Sequence, residues 1–453
     1  MFLRLLVLNI GLWLGLGIAC ADDARPVPQH PVTKLDGEQG LRFRVGEALF
    51  ERLWVSAPAS TQSADGLGPH YNARACGQCH PDNGRGHPTR ADTASQAAVS
   101  LVLRLSNKGQ PDPIYGLQLQ PFAVSDLEAE GQLWIDYHDV PVTLSDGETV
   151  ALRHPRYVVL GLPDGALAPD TRFSPRLAPA VAGLGLLEAI ADQDIAAHAD
   201  PMDRDHDGIS GRTITVWSPT LKRQAPGRFG WKSEQARLAD QVETAFNHDL
   251  GLSTTLYPDP FGDCTVAQID CRSAATGNSP RFDDLEAPPS VTVEVTHFLQ
   301  HLAAPGRRNH NDPAVQRGER QFHDLGCAGC HRPHWRTGLH PDKPALSEQD
   351  LYPYTDMLLH DMGDELGDGQ LAGDDPNAMP GSATGNEWRT PPLWAMGITD
   401  TNSNKAFYLH DGRARNLLEA VLWHGGEAQI SRDRVVQLGA DARADLIRFL
   451  ESL

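Results

Sequence analysis

The same five-residue pattern occurs twice in the chain, as Cys76-Gly77-Gln78-Cys79-His80 and as Cys327-Ala328-Gly329-Cys330-His331. The spacing has a chemical reason. Two thiols add across the vinyl groups of a haem, and the adjacent histidine reaches the iron from one face. A zinc or dithiol site is the competing reading, but a histidine after both pairs and a leader at the N-terminus favour covalent haem. His80 and His331 are therefore the expected iron ligands on that face.

The other axial positions are less legible. For the second motif the candidates are His360, Met362, Met379, Met396, His410 and His424, and spacing does not choose among them. Near the first, Glu188 is a lone acid in the apolar run Leu184 to Ile190. Burial there would raise its pKa and suit it to proton transfer; a paired structural glutamate is the alternative. His87 is a further candidate ligand. In Asp203-Arg204-Asp205-His206-Asp207-Gly208, acids alternate before a glycine that permits a sharp turn. Asp203, Asp205 and Asp207 converging on one point would suit Ca²⁺. Ile214 stands where an EF-hand has its glutamate, so this is an isolated loop, or else a solvated acidic turn. Cys264 and Cys271 are expected to form a local disulfide.

These residues need elements to hold them. Gly46-Glu47-Ala48-Leu49-Phe50 precedes the first motif and Gly318-Glu319-Arg320-Gln321-Phe322 the second, each on a short amphipathic helix. Proline-containing apolar patches follow each motif, at 178–185 and 390–397. Such a degenerate repeat predicts two tandem cytochrome c-like haem domains. Leu446, Ile447, Leu450 and Leu453 predict a closing helix over Ala440 to Leu453. Ser100 to Leu105 and Thr149 to Leu160, rich in valine and leucine, read as strands. The expected fold is mainly α with β-containing insertions. A signal peptide spans 1–21, an N-terminal haem domain with a long insertion 22–305, and a C-terminal cytochrome c domain 306–453, the boundary following a helix around Val295 to Leu302.

The 453 residues carry 39 Lys and Arg against 59 Asp and Glu, a net charge of -20. That surface repels nucleic-acid phosphates and anionic membranes and favours a basic docking partner. Arg4, the apolar stretch Leu5 to Ile18 and Ala19-Cys20-Ala21 read as a signal peptide cleaved after Ala21, which implies a periplasmic location. The alternative is a lipoprotein anchored at Cys20. No later segment has the apolar length of a membrane span. Nucleophile elbow, phosphate loop and basic stripe are all missing.

Thr390-Pro391-Pro392-Leu393-Trp394 and Phe407-Tyr408-Leu409-His410-Asp411-Gly412-Arg413 are similar to the C-terminal signature of bacterial di-haem cytochrome c peroxidases and of MauG, the di-haem enzyme that matures methylamine dehydrogenase. More closely, the chain resembles the di-haem oxidoreductase family, some of whose members are called thiol oxidoreductases. The matching stretches are Leu49-Phe50, Asp65 to Gly68, Gly84-Arg85-Gly86, Gly183 to Ile190, Asp203 to Arg212, Gly227 to Lys232, Leu359 to Gly363 and His410 to Ala428. The resemblance implies that the distal ligand of the second haem lies a short helix beyond His410, and His424 is the best match; Met362 is the alternative. A bis-histidine haem has a lower potential than a His/Met one. It also implies a tryptophan between the haems, for which Trp231 is the candidate, and a calcium ion near their interface. The expected function is a peroxidase that reduces hydrogen peroxide with electrons from a small cytochrome or cupredoxin. A plain di-haem electron carrier, or a MauG-like oxidant of a protein or thiol substrate, are the alternatives.

Overall fold

The computed structural model describes residues 27–88, 100–369, 382–398 and 407–453. The leader with Cys20, and the candidate ligand Met379, lie outside these residues.

The repeated glycine and phenylalanine have one structural meaning in both halves. Helix Gly37–Phe50 begins at Asp36, whose carboxylate accepts from the Gln39 amide at 2.8 Å and satisfies one of the free donors of the first turn. It crosses helix Pro289–His301 at Gly46, where a Cβ would strike the Glu294 carbonyl and Phe298. Phe50, one turn on, packs against Phe298 at 5.5 Å between ring centroids and stands 6.2 Å from the His80 ring. In the second half Asp312 caps helix Pro313–Asp324 by accepting from Ala314 N at 2.7 Å. That helix crosses Ala440–Ser452 at Gly318, where a Cβ would strike the Asp445 carbonyl. Phe322 packs on Phe449 at 5.2 Å and lies 6.3 Å from His331. In each half the glycine allows close helix approach, and the phenylalanine carries that packing to the histidine of the motif.

The fold is mixed α and β rather than mainly α, with about 28% helix and 20% strand. Strand Leu101–Asn107 lies between Gln118–Leu119 and Thr171–Leu177 in an antiparallel sheet and alternates inward and outward residues. Strands Gln132–Thr143 and Thr149–Leu160 form a long hairpin in register from Gln132↔Leu160 to Thr143↔Thr149. Its first strand is hard to read in sequence, because Asp136, His138 and Asp139 interrupt the apolar pattern.

That hairpin leaves the half it belongs to in sequence. Leu144 and Leu152 are buried in the core built by residues 315–453. Tyr157 Oη donates to Asp411 at 2.6 Å, Arg153 donates to the Arg413 carbonyl at 2.9 Å, and Arg443 pairs with Asp146 at 2.8 Å. Traffic also runs the other way, since Ala395 and Ile398 complete the core around Phe50 and Phe298. A third apolar cluster joins Leu186, Leu187 and Ile190 to Trp335, Met357 and Trp394. The boundary at 305 therefore divides the chain but not the packing. Cys264 and Cys271 are disulfide-bonded. Among the described residues, no helix is long and apolar enough to cross a membrane.

Candidate functional site: two cavities that share a wall

Each Cys-x-x-Cys-His segment opens onto its own cavity. In the first, Cys76–Cys79 forms one helical turn and His80 leaves it, so the imidazole faces inward. His80 Nδ1–H donates to the Pro179 carbonyl at 2.7 Å, which fixes the tautomer and leaves Nε2 free for a metal. Burial pulls the pKa down to about 4, against the opposing effect of that hydrogen bond, so the ring is neutral as a ligand must be. His331 repeats the arrangement, with Nδ1–H donating to Tyr354 O at 3.1 Å. Burial, then the neighbouring His424, likewise lowers its pKa to about 4.

The second cavity, of about 180 Å³, contains a facing pair of rings. His424 follows helix Leu417–Leu422, which Asn416 caps by accepting from Glu419 N at 2.9 Å. Its Nδ1–H donates back to the Ala420 carbonyl at 2.8 Å, one helical turn earlier. The His331 and His424 ring centroids are 6.4 Å apart. Two metal–imidazole bonds of about 2 Å, with each centroid roughly 1 Å behind its nitrogen, require about 6 Å. The pair fits an iron between them. Met362 lines the same cavity. Both nitrogens of His360 are taken, by Asp356 at 2.8 Å and Glu427 at 2.7 Å. Burial opposes its charge, but Asp356, Cys330 and Glu427 together hold its pKa far above the usual histidine range. His410 stacks on Trp388 at 3.7 Å, and Met396 borders both cavities.

The first cavity, of about 220 Å³, is lined differently, by Arg104, Arg176, Glu234, Gln241 and His248 among others. Arg176 Nη1 donates to Glu234 at 2.5 Å. Burial would raise the Glu234 pKa, yet Arg176, Arg104 and Lys232 bring it below the ordinary glutamate value. His248 is held neutral, its pKa lowered to about 3 chiefly by burial and further by Arg104. Nothing in the sequence marked these groups: Arg176 lies on a strand and Glu234 in an irregular loop, 58 positions apart.

Glu188 lies elsewhere. It borders neither cavity but accepts from Leu238 N at 2.9 Å and Gln300 Nε2 at 2.8 Å, with Arg237 at 3.6 Å. The apolar run that suggested a raised pKa brings it instead to the first amide of helix Leu238–His248, where it serves as a cap. His87 borders neither cavity either, its ring standing 6.1 Å from that of Phe407. Trp231 is buried in the wall common to both cavities, its Nε1–H donating to Leu177 O at 2.8 Å and its ring 6.4 Å from His410.

The carboxylate oxygens of Asp203, Asp205 and Asp207 lie within 4.8 Å of one another. The turn is pinned by Gly208 N donating to Asp203 at 3.2 Å and Ile209 N to Asp207 at 2.8 Å. It abuts the second motif: Ile209 lies against Gly329, and Ser210 Oγ donates to Glu427 at 2.8 Å, the carboxylate that also holds His360.

Residues 121–453 match the model of a protein family described as "Di-haem oxidoreductase, putative peroxidase". Comparison with curated proteins finds no match. Among solved structures, Kuenenia stuttgartiensis hydrazine synthase pressurized with 20 bar xenon aligns over 100% of this chain and 99% of its own, at 15% identity and a TM-score of 0.30. A likeness of that size bears on neither fold nor function.

Proposed function

The chain belongs to the di-haem oxidoreductase family, and from that premise we propose that it is an exported peroxidase with one covalently attached haem at each Cys-x-x-Cys-His segment. The observation that carries this reading is the unlikeness of the two cavities. One holds a pair of imidazoles 6.4 Å apart, the other a half-buried Glu234 carboxylate paired with the buried Arg176 guanidinium, beside His80.

Cys76, Cys79 and His80 would hold one haem, and Cys327, Cys330, His331 and His424 the other. A haem held in the first cavity would supply redox chemistry for the reduction of hydrogen peroxide, with two electrons and two protons, to two waters. Glu234, ionised beside Arg176, is suited to take a proton from an incoming peroxide and return it to the departing oxygen. His248 offers a neutral nitrogen in the same cavity. His331 and His424 would both hold the second haem, which would confine it to receiving and passing electrons. Trp231 gives those electrons a path through the shared wall. A small cytochrome or cupredoxin is the proposed donor. Asp203, Asp205 and Asp207 would hold calcium, and the contacts of Ile209 and Ser210 would pass its effect to the second motif.

Absorption and EPR spectra of the oxidised and half-reduced holoprotein, with and without peroxide, test the assignment. A high-spin haem that responds to peroxide is expected beside a low-spin one. Two low-spin haems that stay unreactive in every redox state would leave an electron carrier instead.

A further inference from the structure

The wall between the cavities contains positive charge that no acid among the described residues pairs with. Arg85 and Arg389 border both cavities and are 6% and 7% exposed. Arg85 donates to the Leu409 carbonyl and lies 5.4 Å over the Trp231 ring, while its Nε has no hydrogen-bond partner. Arg389 donates to Gly230 O at 2.9 Å and Thr390 O at 3.2 Å. Carbonyls satisfy N–H groups but leave the charge standing.

The four other buried arginines are each paired. Arg176 meets Glu234, Arg228 meets Asp192, Arg413 meets Asp411 and Arg443 meets Asp146. The acids whose fields reach Arg85 and Arg389 are engaged elsewhere: Asp411 with Arg413 at 2.8 Å and Asp356 with His360 at 2.8 Å. Burial accordingly pulls both guanidiniums down to about 10. An uncompensated buried cation is costly, and an anion in the cavities would offset it. A guanidinium fork matches a carboxylate in two parallel hydrogen bonds.

We infer that Arg85 and Arg389 form one carboxylate-binding site in the shared wall, which takes the carboxylate side chains of both haems. This rests on the reading of two attached haems. Its consequence is electrostatic. A cation beside each haem favours the reduced state, so one pair of residues sets both potentials together.

The test is a redox titration of the holoprotein, with covalent haem counted by mass and haemochrome absorbance. Arg85→Gln and Arg389→Gln are each expected to lower both midpoint potentials. Arg85→Lys, which keeps the charge, should stay near wild type, and the surface control Arg44→Gln should move neither. Unmoved potentials, or a shift confined to one haem, would overturn the shared site. If the Gln variants do not accumulate, resonance Raman spectra of Arg85→Lys and Arg389→Lys report on the haem carboxylates directly. Shifted carboxylate bending bands on both haems are expected, and unchanged bands overturn the inference. Haem content separates the failures. A chain without attached haem overturns both readings, whereas full haem with unmoved potentials overturns the arginine site alone.

Discussion

His331 and His424 stand ring to ring at 6.4 Å, each with Nδ1 tied to a backbone carbonyl on its far side. One belongs to the Cys-x-x-Cys-His segment and the other follows a short helix 93 positions later, so the tertiary fold would preset the axial pair of the proposed second haem. His424→Ala is expected to turn the low-spin second haem high-spin, and His424→Met to raise its potential. A second haem that stays low-spin in His424→Ala would pass the ligand role to Met362.

Glu234 is the group on which peroxide turnover should depend most. Glu234→Gln keeps shape and hydrogen bonding but cannot take a proton. Removing a general acid–base group typically costs about 100-fold to 10,000-fold in rate. The loss should fall on kcat, with the spectrum of the second haem unchanged. Glu188→Gln, altering a helix cap instead, should cost stability while sparing turnover per folded molecule. A Glu234→Gln enzyme with full turnover would remove the residue from the proton path.

Calcium should stabilise the protein through Asp203, Asp205 and Asp207. For a site filled only in the folded state, free ion at about 100 times Kd contributes about 3 kcal/mol. Chelation is expected to lower the melting temperature of the wild type, and Asp205→Asn should abolish that response. Melting that ignores calcium in the wild type would leave the loop a solvated turn.

Glu286 makes stability depend on pH near neutrality. Burial first, and Asp65 to a lesser extent, raise its pKa to about 7, against hydrogen bonds from Ser253 and Gly277. Because the folded value lies above the unfolded one, the contribution is fully present below about pH 4.5 and is lost as pH rises through 7. A shift of that size corresponds to roughly 3 kcal/mol. Denaturant unfolding between pH 5 and 8 should show this decline, and Glu286→Gln should flatten it. Equal slopes in both proteins would refute the assignment.

The parts of this design legible in sequence are those fixed by short-range chemistry. The Cys-x-x-Cys-His spacing, the alternating acids of 203–207 and the Gly-x-x-x-Phe repeat each place their groups within one or two turns of chain. Strand Thr149–Leu160 announced itself by composition, whereas its partner Gln132–Thr143 did not, because its polar residues face outward along an exposed ribbon. Glu188 misled because a lone acid in an apolar run suggests an active group until its partners, 50 and 112 positions away, are known. Arg176, Glu234 and Arg389 are silent for the same reason, and Arg85 shows only as part of a family stretch without a role: their significance lies in what long-range folding leaves paired or unpaired.

The hairpin Gln132–Leu160 sets a timetable for the molecule. Its residues reach partners between 407 and 443, and Ala395 and Ile398 finish the core around Phe50. Contacts of such long sequence separation form late. The N-terminal half is therefore expected to stay incompletely covered until almost the whole polypeptide has been delivered. Truncation near 305 would release a sticky fragment with unmatched surfaces rather than a smaller working unit.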